Sequence, residues 1–272
     1  MTLAGTHPLE QTAGVNWRLI AWRYAPPVAG IAVVLAVWWL AGSIFEDNPR
    51  FSAFRGFTLA RTFAAFGQLV TSGDAWRATA PSLSRVLQGL AWAFALGAPV
   101  GLAVGSFAFI ERMVQLPFQI LRMVSPLAWM PIAVLAFPTW DGAIVFLITA
   151  AAVWPIVFAT AASVKRVDPL WLAMSRNLGG STFSILSAVI IPAVAQDILT
   201  GLRLALGVAW IVLVPAEFLG VTSGLGYAIN DARDTLSYDR LAALVLLIGL
   251  IGYVFDAFIS AAIWRTQWTP TA

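Results

Sequence analysis

The chain has 272 residues, 60% hydrophobic and 11% charged, with a mean hydropathy of +0.84 and a formal net charge of +3. Soluble domains carry about 25% charged residues, so this is the composition of an integral membrane protein. So small a charge gives no reason to expect a nucleic-acid partner. The absence of cysteine excludes disulfides, thiol nucleophiles and cysteine-ligated metals.

A membrane-spanning helix needs about 20 apolar residues. Residues 1–24 are mixed polar and read as a tail, without the form of a cleavable signal. The first uncharged run is Ala25–Phe45 and the second Val86–Ile110. Between them Arg61–Ser72 is apolar but too short to span, and reads as an interfacial or bundle-packing segment. The third run is Met123–Trp140, or a longer one begun at Val114 with Arg122 inside it. Gly142–Val164 is the fourth. Ala193–Phe218 is the fifth, interrupted by Asp197, Arg203 and Glu217. Leu241–Trp264 is the sixth, with Asp256 inside. The reading is an all-α membrane protein of about six spans in one domain, residues 25–266, with residues 267–272 as a second tail. Gly224–Arg240 is polar and predicts an external loop with one short helix. No internal repeat is visible, which counts against inverted-repeat transporters.

Within the second run Gly97, Gly101 and Gly105 recur every four residues. They share one helix face and allow a close neighbour, most simply for packing. The tryptophans, Trp210 among them, read first as packing or interfacial anchors.

Between the fourth and fifth runs stands a segment with start and stop signals of its own, DPLWLAMSRNLGG. Asp168 is a suitable N-cap and Pro169 fits the first helical position. Gly179 and Gly180 can close the helix. Leu170, Trp171, Met174 and Leu178 form an apolar stripe, with Ser175, Arg176 and Asn177 opposite. Such a helix can lie on lipid, pack on its own bundle, or dock into a partner. Lys and Arg favour cytoplasmic loops, but here they split almost evenly. Lys165, Arg166 and Arg176 lie beside the short helix, while Arg50, Arg55, Arg61, Arg77 and Arg85 lie in the 46–85 segment.

Ionisable groups at membrane depth usually face a bundle interior or a watery cavity. Arg203 and Glu217 are fourteen positions apart, about 21 Å along a helix at 1.5 Å per residue, and cannot pair within one straight span. Arg203 reads as an interfacial or capping cation, or as a contact for a passing anion. Glu217 reads as a gate or loop contact. Together with Trp210 they are the candidates for lining a pathway. Asp197 and Asp256 fall near inner helix ends and read as structural. An intramembrane enzyme finds no support: His7 is the sole histidine, and no carboxylates pair at ligand spacing.

Gly179 is followed at thirteen residues by Pro192, within Val189-Ile190-Ile191-Pro192. This spacing resembles the EAA loop of bacterial ABC importer permeases, although Ala173-Met174-Ser175 stands where Glu-Ala-Ala is usual. Four further segments are similar to the nitrate/sulfonate/bicarbonate (taurine-type) permease family. They are SLSRVLQGLAWAFALGAPVGLAVG (Ser82–Gly105), LRMVSPLAWMPIAVLAF (Leu121–Phe137), ILTGLRLALGVAWIVLVPAEFLG (Ile198–Gly220) and GLGYAINDARDTLSYDR (Gly224–Arg240). The resemblance covers roughly residues 65–260. It implies that the short helix, about 168–179, is a cytoplasmic coupling helix carrying Asp168, Leu170, Trp171, Met174, Ser175, Arg176, Leu178 and Gly179. It implies as partners a second copy of the chain, two cytoplasmic ATPase subunits and a periplasmic or lipid-anchored substrate-binding protein. ATP and Mg would be held by the ATPases, since this chain has no G-x-x-x-x-G-K loop and no cofactor of its own. It also implies the bacterial inner membrane, a cytoplasmic N-terminus, and a small anion as cargo. The alternative is an ATP-independent secondary transporter or channel.

Overall fold

The computed structural model describes residues 17–47 and 54–266, and those residues contain only helices and connecting turns. The expectations for residues 1–16 and 267–272, and for Arg50, fall outside them. The first span is α1 (Trp17–Asp47), which starts before the uncharged run does. The short apolar segment is α2 (Leu59–Thr71), packed through Ala65 and Leu69 against the last span. The second span is α3 (Asp74–Ser106). The third is not one helix: α4 (Ala108–Leu121) and α5 (Met130–Ala136) meet at 86°, joined by a 3₁₀ turn at Pro126–Trp129. The single third run expected from Met123 to Trp140 is therefore corrected. Pro126 has no N–H to continue a helix, so the chain turns there. Arg122, beside the break, lies 5.2 Å from the centre of the Phe158 ring.

The fourth span is α6 (Trp140–Arg166), and the short helix α7 (Pro169–Asn177) follows it. The fifth begins as α8 (Thr182–Ile185), widens into a π turn at Leu186–Ile190 and continues as α9 (Ile191–Gly220). The π turn ends just before Pro192, which has no N–H to give to the ladder. Helix α10 (Leu225–Asp234) is the short helix predicted within Gly224–Arg240, and α11 (Tyr238–Thr266) is the last span.

The core is built on the contact of α3 with α6, and glycine makes it. A side-chain carbon on Gly97 would stand 3.1 Å from Ile156, on Gly101 2.6 Å from Thr160, and on Gly105 2.6 Å from Val164. Each partner lies 59 positions later in the chain. A constant offset means that α3 and α6 run parallel and in register. Two parallel helices need a return crossing between them, so the bent α4–α5 pair traverses the membrane rather than dipping into it. Helix α9 lies against α6 in the opposite sense, with Gly201 near Ala159 and Pro155. Six crossings then place α7 on the same side as the start of α1, and α2 and α10 on the other.

Candidate functional site

Two clusters of polar chemistry lie at opposite ends of α6, which at 27 residues is about 40 Å long. At one end, α7 is formed as its residues demand. The Asp168 carboxylate accepts from the Leu170 N–H at 2.8 Å, and Pro169 occupies the first turn. Gly180 donates to the Ser175 carbonyl and Gly179 to that of Arg176, both at 2.9 Å. This 6→1 and 5→2 pair is a Schellman motif, closed by Gly179 at φ +80°.

The stripe of Leu170, Trp171, Met174 and Leu178 faces outward. Trp171 is 52% exposed and Leu178 87% exposed. Packing on the bundle is thus excluded for this stripe. The helix is held by a residue the periodicity did not single out, Leu172, which packs on the main core. Leu172 and Arg176 line a cleft of about 540 Å³ between α7, α8 and the end of α3. Leu172 lies one turn before Arg176, so the helix is anchored along that edge, with Ser175 half-buried while Arg176 and Asn177 stay exposed. The end of α6 is braced on both flanks. Lys165 pairs with Glu111 of α4, and Arg166 pairs with Asp197 of α9 at 2.9 Å. Asp197, read as structural, thus joins α9 to the end of α6.

At the far end Glu217 is 0% exposed and fully engaged. It accepts from Ser82 Oγ at 2.8 Å, Arg85 Nη1 at 2.5 Å and the Gly226 N–H at 2.9 Å. Arg85, 4% exposed, also donates from Nη1 to the Ser223 carbonyl and from Nη2 to Ser223 Oγ, each at 2.9 Å. Its Nε donates to Asp141 at 2.7 Å. Ser82 Oγ accepts from the Leu225 N–H at 2.8 Å. The carboxylate thus caps the N-terminus of α10, where the helix dipole favours an anion, and ties α10 to α3 and α9. Gly224, at φ +112°, is needed twice over: a side-chain carbon there would stand 2.5 Å from the Glu217 carboxylate. Of the readings open for Glu217, the geometry is that of a loop contact. Arg85, counted by its position as a loop cation, is inside helix α3. Its charge is neutralised within the protein, and it carries no weight in deciding which side is cytoplasmic. Sequence spacing offered no signal for this pairing, since Arg85 and Glu217 are 132 positions apart.

Arg203 does not meet Glu217. Its Nε and Nη2 donate to the two oxygens of Asp256 on α11, both at 2.6 Å. Asp256 is not at a helix end, as its position suggested, but ten residues before α11 stops at Thr266. Both side chains are 44% exposed. Two turns along α9, Trp210 packs on Phe255 and Gly252, and among the described residues its indole N–H has no acceptor. The three pathway candidates are therefore not one cluster: Arg203 and Trp210 share the α9–α11 seam, and Glu217 does not.

Residues 93–264 match the family described as "Binding-protein-dependent transport system inner membrane component". The chain is 34% identical over 254 residues to the bicarbonate transport system permease protein CmpB of Synechococcus elongatus, covering 89% of this chain and 88% of that one. It is 30% identical over 259 residues to the taurine transport system permease protein TauC of Escherichia coli, covering 92% and 94%. It is 33% identical over 179 residues to the nitrate import permease protein NrtB of a Synechocystis species, covering 66% and 65%.

Proposed function

This chain belongs to the family of binding-protein-dependent transport system inner membrane components, and we propose from that membership that it forms the membrane pathway of an ATP-driven importer for a small oxyanion or sulfonate. It is a multi-pass inner-membrane permease, and the family's description requires a binding protein as a partner. The secondary transporter or channel kept as an alternative is not favoured, because the relatives are permease subunits of binding-protein-dependent systems. The substrate class rests on what three relatives are named for: bicarbonate, taurine and nitrate. These share planar or tetrahedral oxygens around a central atom.

The observation that carries the mechanism is α7. A stiff helix, capped at both ends, offers an apolar stripe to the outside while Leu172 anchors it within. Such a helix suits a groove in a separate ATPase subunit. ATP and Mg belong to that subunit. Closure of two ATPases around two copies of α7 would pull on the end of α6 through Val167 and Asp168, and on α8–α9 through Gly179 and Gly180. The ion pairs of Lys165 and Arg166 would pass that pull to α4 and α9. In this arrangement α7 and the N-terminus are cytoplasmic, α10 faces the binding protein, and Arg203 with Trp210 lies along the pathway.

Two measurements test this reading. In proteoliposomes, uptake of labelled taurine, nitrate or bicarbonate should require ATP, the ATPase subunit and the binding protein together. Uptake of any of them by the permease alone, without ATP, would return the alternative. A Ser175→Cys variant, clean because the chain has no cysteine of its own, should react with an impermeant maleimide in inverted vesicles and resist it in intact cells. The reverse pattern would invert the orientation.

A further inference from the structure

Resting on that reading, we propose that Arg203 is the anion-binding group of the pathway and that Asp256 is its built-in counter-ion, filling the site until an incoming oxyanion displaces it.

The first ground is exposure at depth. Arg203 lies twelve residues into α9, and Asp256 lies ten residues before the end of α11. Both are well inside spans, yet each side chain is 44% exposed. An ion pair this open cannot sit among acyl chains without a large cost, so its face looks onto water or a polar surface. The contrast with Arg85 is direct. That guanidinium, in contact with two carboxylates and two groups of Ser223, is shut away. Arg203 has five N–H donors, and two of them go to Asp256. Among the described residues no other partner meets the rest.

The second ground is room. Gly207, one turn further along α9, and Gly249, two turns before Asp256 on α11, would each accept a side-chain carbon with nothing within 4 Å. Because α9 and α11 run in opposite senses, both glycines lie on the same side of the pair. They leave the outward face of the pair uncovered, beside Trp210, which fills the seam at Gly252.

The third ground is the shape of the bond. Asp256 presents two oxygens to the arginine fork at 2.6 Å each. Bicarbonate, nitrate and a sulfonate present oxygens that match that fork. Exchange of one anion for the other keeps Arg203 paired throughout, so the cation is never left bare in a low-dielectric interior. It also leaves the displaced carboxylate beside the bound anion, and that repulsion weakens the site and favours release. Asp256 therefore sets affinity, and it keeps the site filled when no cargo is present.

A pair that served only as a brace would respond symmetrically: loss of either partner would loosen α9 from α11. Exchange at the site predicts opposite effects. In the full reconstituted complex, with labelled taurine, nitrate and bicarbonate as probes, Arg203→Gln should cut uptake per assembled complex at least tenfold. Asp256→Asn should instead lower the half-saturating probe concentration severalfold and raise probe leak without ATP. Parallel losses in both variants, in proportion to lost assembly, would overturn the proposal. A further variant guards against misfolding, because it sits in open space. Gly207→Cys should react with a water-soluble, membrane-impermeant thiol reagent in the complex, and a transported probe should slow the reaction. If the wild-type complex takes up a probe while this cysteine stays unreactive, the site fails and the function stands. If the wild-type complex takes up none of the three, the substrate class fails and this inference fails with it.

Discussion

The two ends of α6 handle polar and apolar groups in opposite ways. At the α10 end the protein buries an arginine and a glutamate and meets the needs of both internally, with two serines, a backbone N–H, a backbone carbonyl and a second carboxylate. At the α7 end it leaves a tryptophan, a methionine and two leucines in the open, capping the backbone of α7 and pairing charges only at the exposed flanks of α6. A buried charge pair locks neighbouring segments, since separating it strands a charge. An exposed apolar stripe on a capped helix is unfinished, because its burial awaits another surface. The difference teaches that the α10 end is closed by contacts within this chain, whereas the α7 end leaves an apolar stripe uncovered.

The largest expected effect breaks the closed end. Glu217→Ala strands Arg85 and removes the cap of α10, and it should cost about 3–5 kcal/mol of stability. The measurement is the fraction of monodisperse permease in detergent and its unfolding midpoint. Glu217→Gln, which keeps an acceptor and the shape, should lose less. Equal midpoints for the Ala variant and the wild type would show that the network does not hold α10.

Next comes the open end. Trp171→Ala with Met174→Ala should leave that unfolding midpoint unchanged, because both side chains are exposed. It should also cut recovery of the co-expressed ATPase at least tenfold, since one central aromatic anchor can contribute 2 kcal/mol or more. Full recovery of the ATPase would remove the stripe from the docking surface, and a collapse of the permease itself would erase the contrast between the two ends.

The smallest effect sharpens the comparison without breaking it. Gly179→Ala meets no neighbour, so its whole cost is backbone strain at φ +80°, about 1 kcal/mol. The amides of α7 should exchange about fivefold faster, with those of α10 unaffected. Faster exchange at α10 would mean that the two ends are coupled even in the resting protein.

Much of this molecule was legible from local signals. Span number follows from apolar length, because the bilayer sets a minimum that few other structures need. The short helix follows from Asp168, Pro169 and Gly179, since capping is decided within a few residues. The glycine face of α3 was legible as a place of close approach, but its partner was not. That the partner is α6, and parallel, depends on a return crossing through a helix pair broken at Pro126, and apolar length alone reads that pair as one run. The pathway candidates divided for the same reason. Arg203, Trp210 and Glu217 share a helix in the chain, but Asp256 claims the first and Arg85 the last, from helices 53 and 132 positions away. Helix periodicity reports which residues share a face; it carries nothing about which distant face arrives opposite. Caps and spans are short-range consequences of the backbone and the bilayer, and so were written in the residues themselves. The burial of Arg85, the inward turn of Leu172 and the open pairing of Arg203 with Asp256 were decided only when separate helices met, because a charge in a membrane protein takes its meaning from whatever packing brings beside it.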